Sequence, residues 1–222
     1  MSEQPDHSNS TRASGVLMLG LCALALLFMA HHPTLGAPGY DTLAEEAAAE
    51  SGLNGLVHGM LIVITVGFFV CLAMFADLLN RNYFITRAGL LVLGIATLTM
   101  IGAALVSGFI VPETARKLLA AGMANEFEPI LRMLGATNQT LAETSVIAYG
   151  AGMLLWGARL VRMNGFARVS ALVALIAGII LAGGMLSGLL HLDVQGMTLA
   201  LAIMCAWFAT AGIVMVMRRD GA

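Results

Sequence analysis

Long apolar segments alternate with short polar connections along this chain. A transmembrane helix needs roughly 20 predominantly apolar residues, and six segments approach or exceed that length. They cover residues 14–32, 55–79, 87–111, 139–161, 168–190 and 195–217. The pattern therefore predicts an all-α integral membrane protein whose residues 14–217 form a bundle of six transmembrane helices.

The connections between these segments predict little additional structure. Residues 1–13 and 218–222 are polar and predict cytoplasmic tails, the first of them disordered. Residues 41–51 have a composition that favours a short surface helix. The connection 113–136 mixes charged and apolar residues and predicts one or two short amphipathic helices at the membrane interface. Pro112 is expected to end the third span, since proline interrupts a helix.

The positive charges predict the orientation of the chain. Only Arg116, Lys117 and Arg132 fall on one side of a six-span arrangement. The other side receives Arg12, Arg81, Arg87, Arg159, Arg162, Arg168, Arg218 and Arg219. Because Lys and Arg in short loops concentrate on the cytoplasmic side, we predict cytoplasmic N- and C-termini. The short loops favour a multi-pass protein of the cell inner membrane.

Composition excludes several classes of protein. Hydrophobic residues make up 59% of the chain and charged residues 11%, against about 25% charged residues in soluble domains. The net charge is −2 and no basic stripe is present, so nucleic acid is not an expected partner. The three cysteines, Cys22, Cys71 and Cys205, lie in apolar segments. Their odd number argues against a disulfide framework and favours a packing role.

Two segments of the chain resemble each other at an offset of 80 residues. The third span ends with residues 104–113, and the fifth ends with residues 184–193, and both contain a Leu-Xaa-Ser-Gly sequence. On this offset His58 matches Asn138, and Glu113 matches Asp193. We therefore predict a duplicated helical hairpin formed by spans 2–3 and 4–5. The small residues of these helices predict close packing between neighbouring helices.

The histidines are distributed on one side of the predicted bundle. His31 and His32 close the first span, His58 lies in the first turn of the second, and His191 closes the fifth. Glu113 and Asp193 follow the third and fifth spans at the same level. Ionisable residues in or beside a membrane-spanning segment suggest a functional site. Imidazole is the commonest metal ligand, and a carboxylate can be a further ligand or can orient a histidine.

This distribution predicts a metal- or haem-binding protein with its site at the periplasmic face. The expected metal ligands are His31, His32, His58, His191, Glu113 and Asp193. The metal would be Cu, Zn or Fe; alternatively, His58 and His191 would hold a b-type haem. The function would be electron transfer, metal handling or metal-assisted chemistry. In metal-assisted hydrolysis, Glu143 would be the catalytic base.

Glu143 also allows two structural interpretations, because Asn138, Gln139 and Thr140 make the start of the fourth span polar. Either this face lines a wet cavity, or the span begins later. Two other functions remain open for the whole chain. The protein could be a non-catalytic accessory subunit that binds lipid or quinone in a larger membrane complex, or a small dimeric transporter. Its expected partners are the lipid bilayer and either a second copy or other membrane subunits.

Overall fold

The computed structural model describes residues 7–31 and 41–218 of the chain. All the regular secondary structure in these two ranges is helical, as the sequence predicted. The α-helices are α1 His7–Ala30, α2 Leu43–Ala49, α3 Ser51–Leu78, α4 Phe84–Leu105, α5 Val111–Ala120, α6 Phe127–Leu160, α7 Phe166–Gly178, α8 Gly184–Leu186 and α9 Val194–Met217. Two π-helical segments, Val106–Ile110 and Ile179–Gly183, join α4 to α5 and α7 to α8. A short 3-10 turn, Ala124–Glu126, precedes α6.

Five helical stretches in the described part of the chain are long and apolar enough to cross a membrane. They are Asn9–Ala30, Ser51–Leu78, Phe84–Ala120, Phe166–Leu186 and Val194–Met217. Their outer surfaces expose large apolar side chains such as Val63, Leu91 and Ile176, which is typical of helices that face lipid. α6 is not one of the five, since its first half carries several polar residues. The chain therefore has the composition of a multi-pass membrane protein.

The six long helices form a closed ring. α1, α3, α4, α6 and α7 each pack against the next in this order, α7 packs against α9, and α9 packs back against α1. Short turns join α3 to α4 and α6 to α7, so these neighbours run antiparallel. α4 and α6 are also antiparallel, because Gly89 lies against Trp156 and Gly152 against Leu93. The α1–α9 pair is also antiparallel: Gly15 meets Gly212 and Cys22 meets Cys205. All six helices therefore have one end near the turns at residues 79–83 and 161–165, which carry Arg81 and Arg162. We call this the basic end of the bundle.

Large aromatic side chains fill the bundle where α6 meets its neighbours. Trp156 is fully buried, lies edge-on to Trp207 and packs against Phe75. Its indole Nε1 donates to the carbonyl oxygen of Thr86 at 3.0 Å. Gly89 makes room for this ring, because a Cβ there would collide with the indole. The C-terminal half of α6 therefore turns this side toward other helices rather than toward lipid.

The three elements α2, α5 and the start of α6 form a small second core at the end opposite the basic end. It contains Ala44, Ala115 and Phe127. The helix expected within residues 41–51 is confirmed as α2. Thr42 caps it: the Thr42 hydroxyl accepts from the Glu45 backbone N–H at 3.2 Å, and the Glu45 carboxylate accepts from the Thr42 backbone N–H at 3.1 Å. This capping box satisfies two N–H groups at once.

Pro112 does not end the helix that precedes it, so that expectation was wrong. The π-helical segment Val106–Ile110 breaks the regular pattern first, and Pro112 then lies in the first turn of α5. The proline is accommodated because it follows the π-helical segment, where the regular hydrogen-bond pattern is already interrupted. The longest connection contains one short amphipathic helix, α5, as the sequence predicted, but α5 extends the preceding helix and α6 already begins at Phe127 and continues unbroken to Leu160.

The two hairpins that the sequence predicted to be duplicates, α3–α4 and α6–α7, share one unusual feature. The second helix of each contains a π-helical segment, Val106–Ile110 in one and Ile179–Gly183 in the other. The Ser-Gly pairs differ, because Ser107 and Gly108 lie within the π-helical turn whereas Gly188 lies in the turn after α8, with a φ of 71°. Duplication therefore stays a prediction.

The contact between α1 and α9 gives a direct test of the ring. Cys22 Sγ lies 3.7 Å from the carbonyl oxygen of Cys205, and Cys205 Sγ lies 4.0 Å from that of Cys22. A disulfide requires Cα atoms within about 4.4–6.8 Å, which backbones this close can meet. We expect a membrane-permeant oxidant such as copper–phenanthroline to link these two thiols within one chain, and peptide mass spectrometry to show the bond. A failure of Cys22 to pair with Cys205, while both thiols react with a small membrane-permeant maleimide, would contradict this packing.

Candidate functional site

A cavity of about 380 Å³ lies inside the ring, lined by α1, α3, α4, α6 and α9. Most of its wall is apolar. Its deep part is lined by Ile64, Phe68, Met204 and Phe208, which we call the apolar floor. Nearer the end opposite the basic end, its wall carries His58, Ser107, Asn138 and Asp193, which we call the polar rim. The cavity thus has an apolar body and a polar opening.

The dimensions of the cavity suit a chain-like molecule. His58 and Phe68 lie on the same helix, and an α-helix rises 1.5 Å per residue. The rim and the floor are therefore separated by about 15 Å along α3, or about half the ~30 Å hydrocarbon thickness of a bilayer. The phenol of Tyr149 also faces this region, but its hydroxyl is within 3.3 Å of Thr97 Oγ1, so it is already partnered inside the bundle.

His58 is the most buried polar residue of the rim, with 4% of its surface exposed. Its Nδ1 lies 3.0 Å from the carbonyl oxygen of Asn54. Since a carbonyl oxygen can only accept, Nδ1 carries a proton and donates to Asn54. Gly108 packs directly against this ring, because a Cβ at that position would collide with the Cβ of His58. Glycine is therefore required there for the imidazole to keep its place.

The π-helical segment Val106–Ile110 shapes the same side of the rim. Its irregular turn leaves the Ser107 carbonyl oxygen to accept from the Asn54 side-chain amide at 2.9 Å. Asn54 therefore contacts both Ser107 and His58 and fixes α3 against the π-helical turn. Single π-helical turns inside α-helices are found frequently at functional sites. Here the turn places Ser107 in the cavity wall.

The remaining rim residues come from α6 and α9. Asp193 caps α9, and its Oδ1 accepts from the Gly196 backbone N–H at 2.7 Å. Asn138 lies on α6 and matches His58 at the 80-residue offset of the predicted repeat. Both of these positions line the cavity. The two hairpins therefore contribute corresponding residues to one site.

The structure does not bring the predicted histidine ligands together. His31 is exposed, and its Nδ1 lies 2.8 Å from the carbonyl oxygen of Leu27 in its own helix. His191 is exposed and does not line the cavity that His58 lines. His32 lies outside the described residues. Within residues 7–31 and 41–218, no group of three or more His, Cys, Asp or Glu side chains could hold a metal ion. The histidine cluster is therefore unsupported.

The acidic residues that were predicted as metal ligands or as the catalytic base also lie apart from one another. Glu113 forms ion pairs with Arg116 and, at 3.4 Å, with Lys117 on the exposed side of α5. Glu143 is half-buried and accepts from the side-chain amide of Gln139 at 2.9 Å. Of the five predicted metal ligands that lie in the described ranges, only His58 and Asp193 line the cavity, and Glu143 does not. The catalytic role of Glu143 stays a prediction.

Sequence analysis did not select Ser107 or Asn54 as site residues, and it assigned Gly108 to packing. One signal was present: Asn54 precedes His58 by four residues and so lies on the same helix face. The other signal was the pairing of His58 with Asn138 at the repeat offset. Comparisons with known proteins find no matching family model, no matching curated protein and no matching solved structure.

Proposed function

We propose that this protein binds an amphipathic lipid or quinone in the cavity and serves as a non-catalytic subunit of a larger membrane complex. One observation carries the proposal: a largely apolar cavity inside a helical bundle has its imidazole, amide and carboxylate groups at one end, with only the hydroxyls of Thr65 and Tyr149 among the described residues that line it farther in. Small-molecule sites typically combine a hydrophobic wall with a few placed polar groups. An apolar tail would contact the floor formed by Ile64, Phe68, Met204 and Phe208, and a polar head group would contact the rim.

We further propose that α6 is a sixth span. Its second half is buried against neighbouring helices on both sides: Gly152 receives Leu93 of α4, and Gly150 receives Gly178 of α7. A helix enclosed by other spans needs less hydrophobicity than one that faces lipid, since its polar groups find partners in protein. Ser145 is an example, because its hydroxyl donates to the carbonyl oxygen of Ala96 at 2.7 Å.

A pair of labelling sites tests this span. Asn125, before α6, and Asn164, after it, are both exposed. We expect a membrane-impermeant maleimide added to intact cells to label Asn125→Cys and to leave Asn164→Cys unlabelled until the cells are opened. The native cysteines are buried and make a low background. Equal labelling of both sites on intact cells would mean that α6 does not cross the membrane.

We also propose that the basic end of the bundle faces the cytoplasm and that the protein lies in a cell inner membrane. Support comes from the grouping of arginines in the turns at that end and from the cytoplasmic excess of Lys and Arg in short loops. Arg12 and Arg218 both lie there, since Arg12 donates to the carbonyl oxygen of Arg218 at 3.2 Å. The labelling experiment tests this orientation too, because labelling of Asn164→Cys alone on intact cells would reverse it.

Extraction of the purified protein tests the binding proposal. The protein would be isolated in mild detergent, extracted with organic solvent, and analysed by mass spectrometry against a mock preparation. We expect one lipid or quinone species at about one molecule per chain. An extract with the composition of bulk membrane lipid would contradict specific binding.

Metal or haem binding is the second candidate, and one observation favours it. The hydrogen bond from His58 Nδ1 to a backbone carbonyl is the arrangement that commonly orients a metal-ligating histidine. Elemental analysis and an absorption spectrum of the same purified sample decide between the two candidates. Stoichiometric Cu, Zn or Fe, or a Soret band, that disappears in His58→Ala would favour the second candidate.

A further inference from the structure

We propose that the molecule bound in the cavity carries a hydroxyl group partway along its apolar chain, and that Thr65 and Tyr149 bind this hydroxyl. The inference rests on the proposed function, because it concerns the ligand of the same cavity. It narrows that ligand to a lipid with an oxygenated chain, since the isoprenoid tail of a quinone carries no oxygen. It follows from the hydroxyls of these two residues, which are the only polar side chains of the described cavity wall that lie farther in than the polar rim.

Thr65 on α3 and Tyr149 on α6 lie at nearly the same depth in the bundle. The rings of Phe75 and Trp156 pack with their centroids 5.8 Å apart and so mark one level of these two helices. Because an α-helix rises about 1.5 Å per residue, Thr65 lies about 15 Å and Tyr149 about 10 Å from that level, both toward the polar rim. The difference is less than one helical turn. Thr65 is also about 10 Å from His58 along α3, so a chain that extends inward from the rim passes both residues at this distance.

The hydroxyl of Thr65 differs from those of other threonines in the bundle. Thr97, Thr144 and Thr198 each donate to the carbonyl oxygen four residues earlier in their own helix, at 2.9, 2.7 and 2.7 Å. The hydroxyl of Thr65 makes no hydrogen bond with any residue that the structure describes, and Thr65 lines the cavity. A hydroxyl without a partner in an apolar wall costs free energy. A polar group of the ligand at this level would remove that cost.

The hydroxyl of Tyr149 has already used its proton but can still accept. Thr97 donates its single hydroxyl proton to the carbonyl oxygen of Leu93, because a carbonyl oxygen can only accept. In the contact of 3.3 Å between Thr97 Oγ1 and Tyr149 Oη, the proton therefore comes from Tyr149. Tyr149 Oη keeps a lone pair for another donor. Because Tyr149 lines the cavity, a ligand that donates a proton is a suitable partner for it.

A hydroxyl matches these two partners with one proton of its own. It would donate that proton to Tyr149 Oη and accept the proton of Thr65. A plain hydrocarbon chain would leave Thr65 without a partner, and a carbonyl oxygen would accept from Thr65 but donate nothing to Tyr149. An ammonium or carboxylate group would be charged at a level where the described cavity wall carries no opposite charge, and the burial of an unpaired charge is costly.

Native mass spectrometry of the purified protein tests the proposal with a matched pair of probes. Ricinoleyl alcohol is oleyl alcohol with one additional mid-chain hydroxyl, so the two share their head group, chain length and double bond. They would be added as an equimolar mixture after detergent exchange has removed the co-purified molecule, and their adducts differ by the mass of one oxygen atom. We expect the ricinoleyl adduct to exceed the oleyl adduct about fivefold, the ratio to which one net hydrogen bond converts.

Variants of Thr65 assign this preference to its hydroxyl. Thr65→Val removes the hydroxyl but keeps a branched side chain of the same shape, so we expect a ratio of about one with oleyl alcohol bound as before. Thr65→Ser keeps a hydroxyl and should keep the preference, whereas Tyr149→Phe should lower it. The matched control is Thr99→Val, because Thr99 is not among the described residues that line the cavity and its hydroxyl donates to the carbonyl oxygen of Ile95 at 2.9 Å. This control should leave the ratio unchanged.

The failure of this inference and the failure of the proposed function give different results. If neither alcohol forms an adduct, or if both adducts persist when Ala104→Phe fills the cavity, the proposed function itself fails. Equal adducts that are both lost in Ala104→Phe would show that the cavity binds an apolar chain without recognising a hydroxyl, which overturns the inference alone. A preference for ricinoleyl alcohol that survives in Thr65→Val would equally overturn it.

Discussion

Ala104→Phe is expected to abolish ligand binding without unfolding the protein. Ala104 lies in the wall of the cavity and is partly accessible within it. A benzyl side chain there would occupy the space between the polar rim and the apolar floor. We expect the co-purified molecule to fall from about one per chain to background.

The control for this variant lies on the same helix. Ile95 is 53% exposed on the outer surface of α4, so Ile95→Phe adds an aromatic ring that faces lipid and leaves the cavity unchanged. It should bind as the native protein does. Retention of the ligand by Ala104→Phe, with unfolding behaviour equal to that of the control, would show that the molecule does not lie in this cavity.

Gly89→Ala is expected to cause a large loss of stability. A Cβ at Gly89 would overlap the indole of Trp156, which cannot move away because it is fully buried and bound to the Thr86 carbonyl oxygen. Overpacking of this kind typically costs about 1–3 kcal/mol, and displacement of the indole would also break its hydrogen bond. Reversible unfolding in mixed detergent micelles measures the effect.

Gly20→Ala is the matched comparison, since a Cβ at Gly20 meets no atom within 4 Å. Alanine is favoured over glycine inside a helix by about 1 kcal/mol, so this variant should be at least as stable as the native protein. If Gly89→Ala unfolded like Gly20→Ala, the close packing of α4 against α6 would be wrong. Both variants add one methyl group to a long helix, so the difference between them isolates the effect of packing.

The pattern of apolar residues predicts the long helices well, because the residues on their outward-facing surfaces are apolar. Residues such as Val63 and Leu91 face outward and are apolar for that reason. α6 carries a weaker signal, because its partners are other helices and its polar groups, such as Ser145, bond within the bundle. The unexpected course of the chain at Pro112 depends on a π-helical turn, whose Ser107 carbonyl oxygen accepts from Asn54 on another helix.

The site was predicted only in part, since the sequence indicates how far along a helix a residue lies but not to which side of the helix its side chain points. His31, His58 and His191 lie at one end of the bundle, yet only His58 faces its interior, while the other two are exposed. Whether a side chain near a helix end faces the interior depends on how the helices are rotated in the ring. Ser107 shows the same limit, because it enters the cavity wall through an irregular turn that no periodicity predicts.

An experimental density map of the protein purified from its native membrane would show whether an amphipathic molecule occupies the cavity. We expect one elongated density inside the ring, with its polar end beside His58 and Asn138 and its tail reaching Phe208. A cavity closed by side chains or filled only with ordered water would contradict the proposed binding. A single compact density bound to His58, with the strength of a metal ion, would replace the proposed ligand with the one that the histidine distribution predicted.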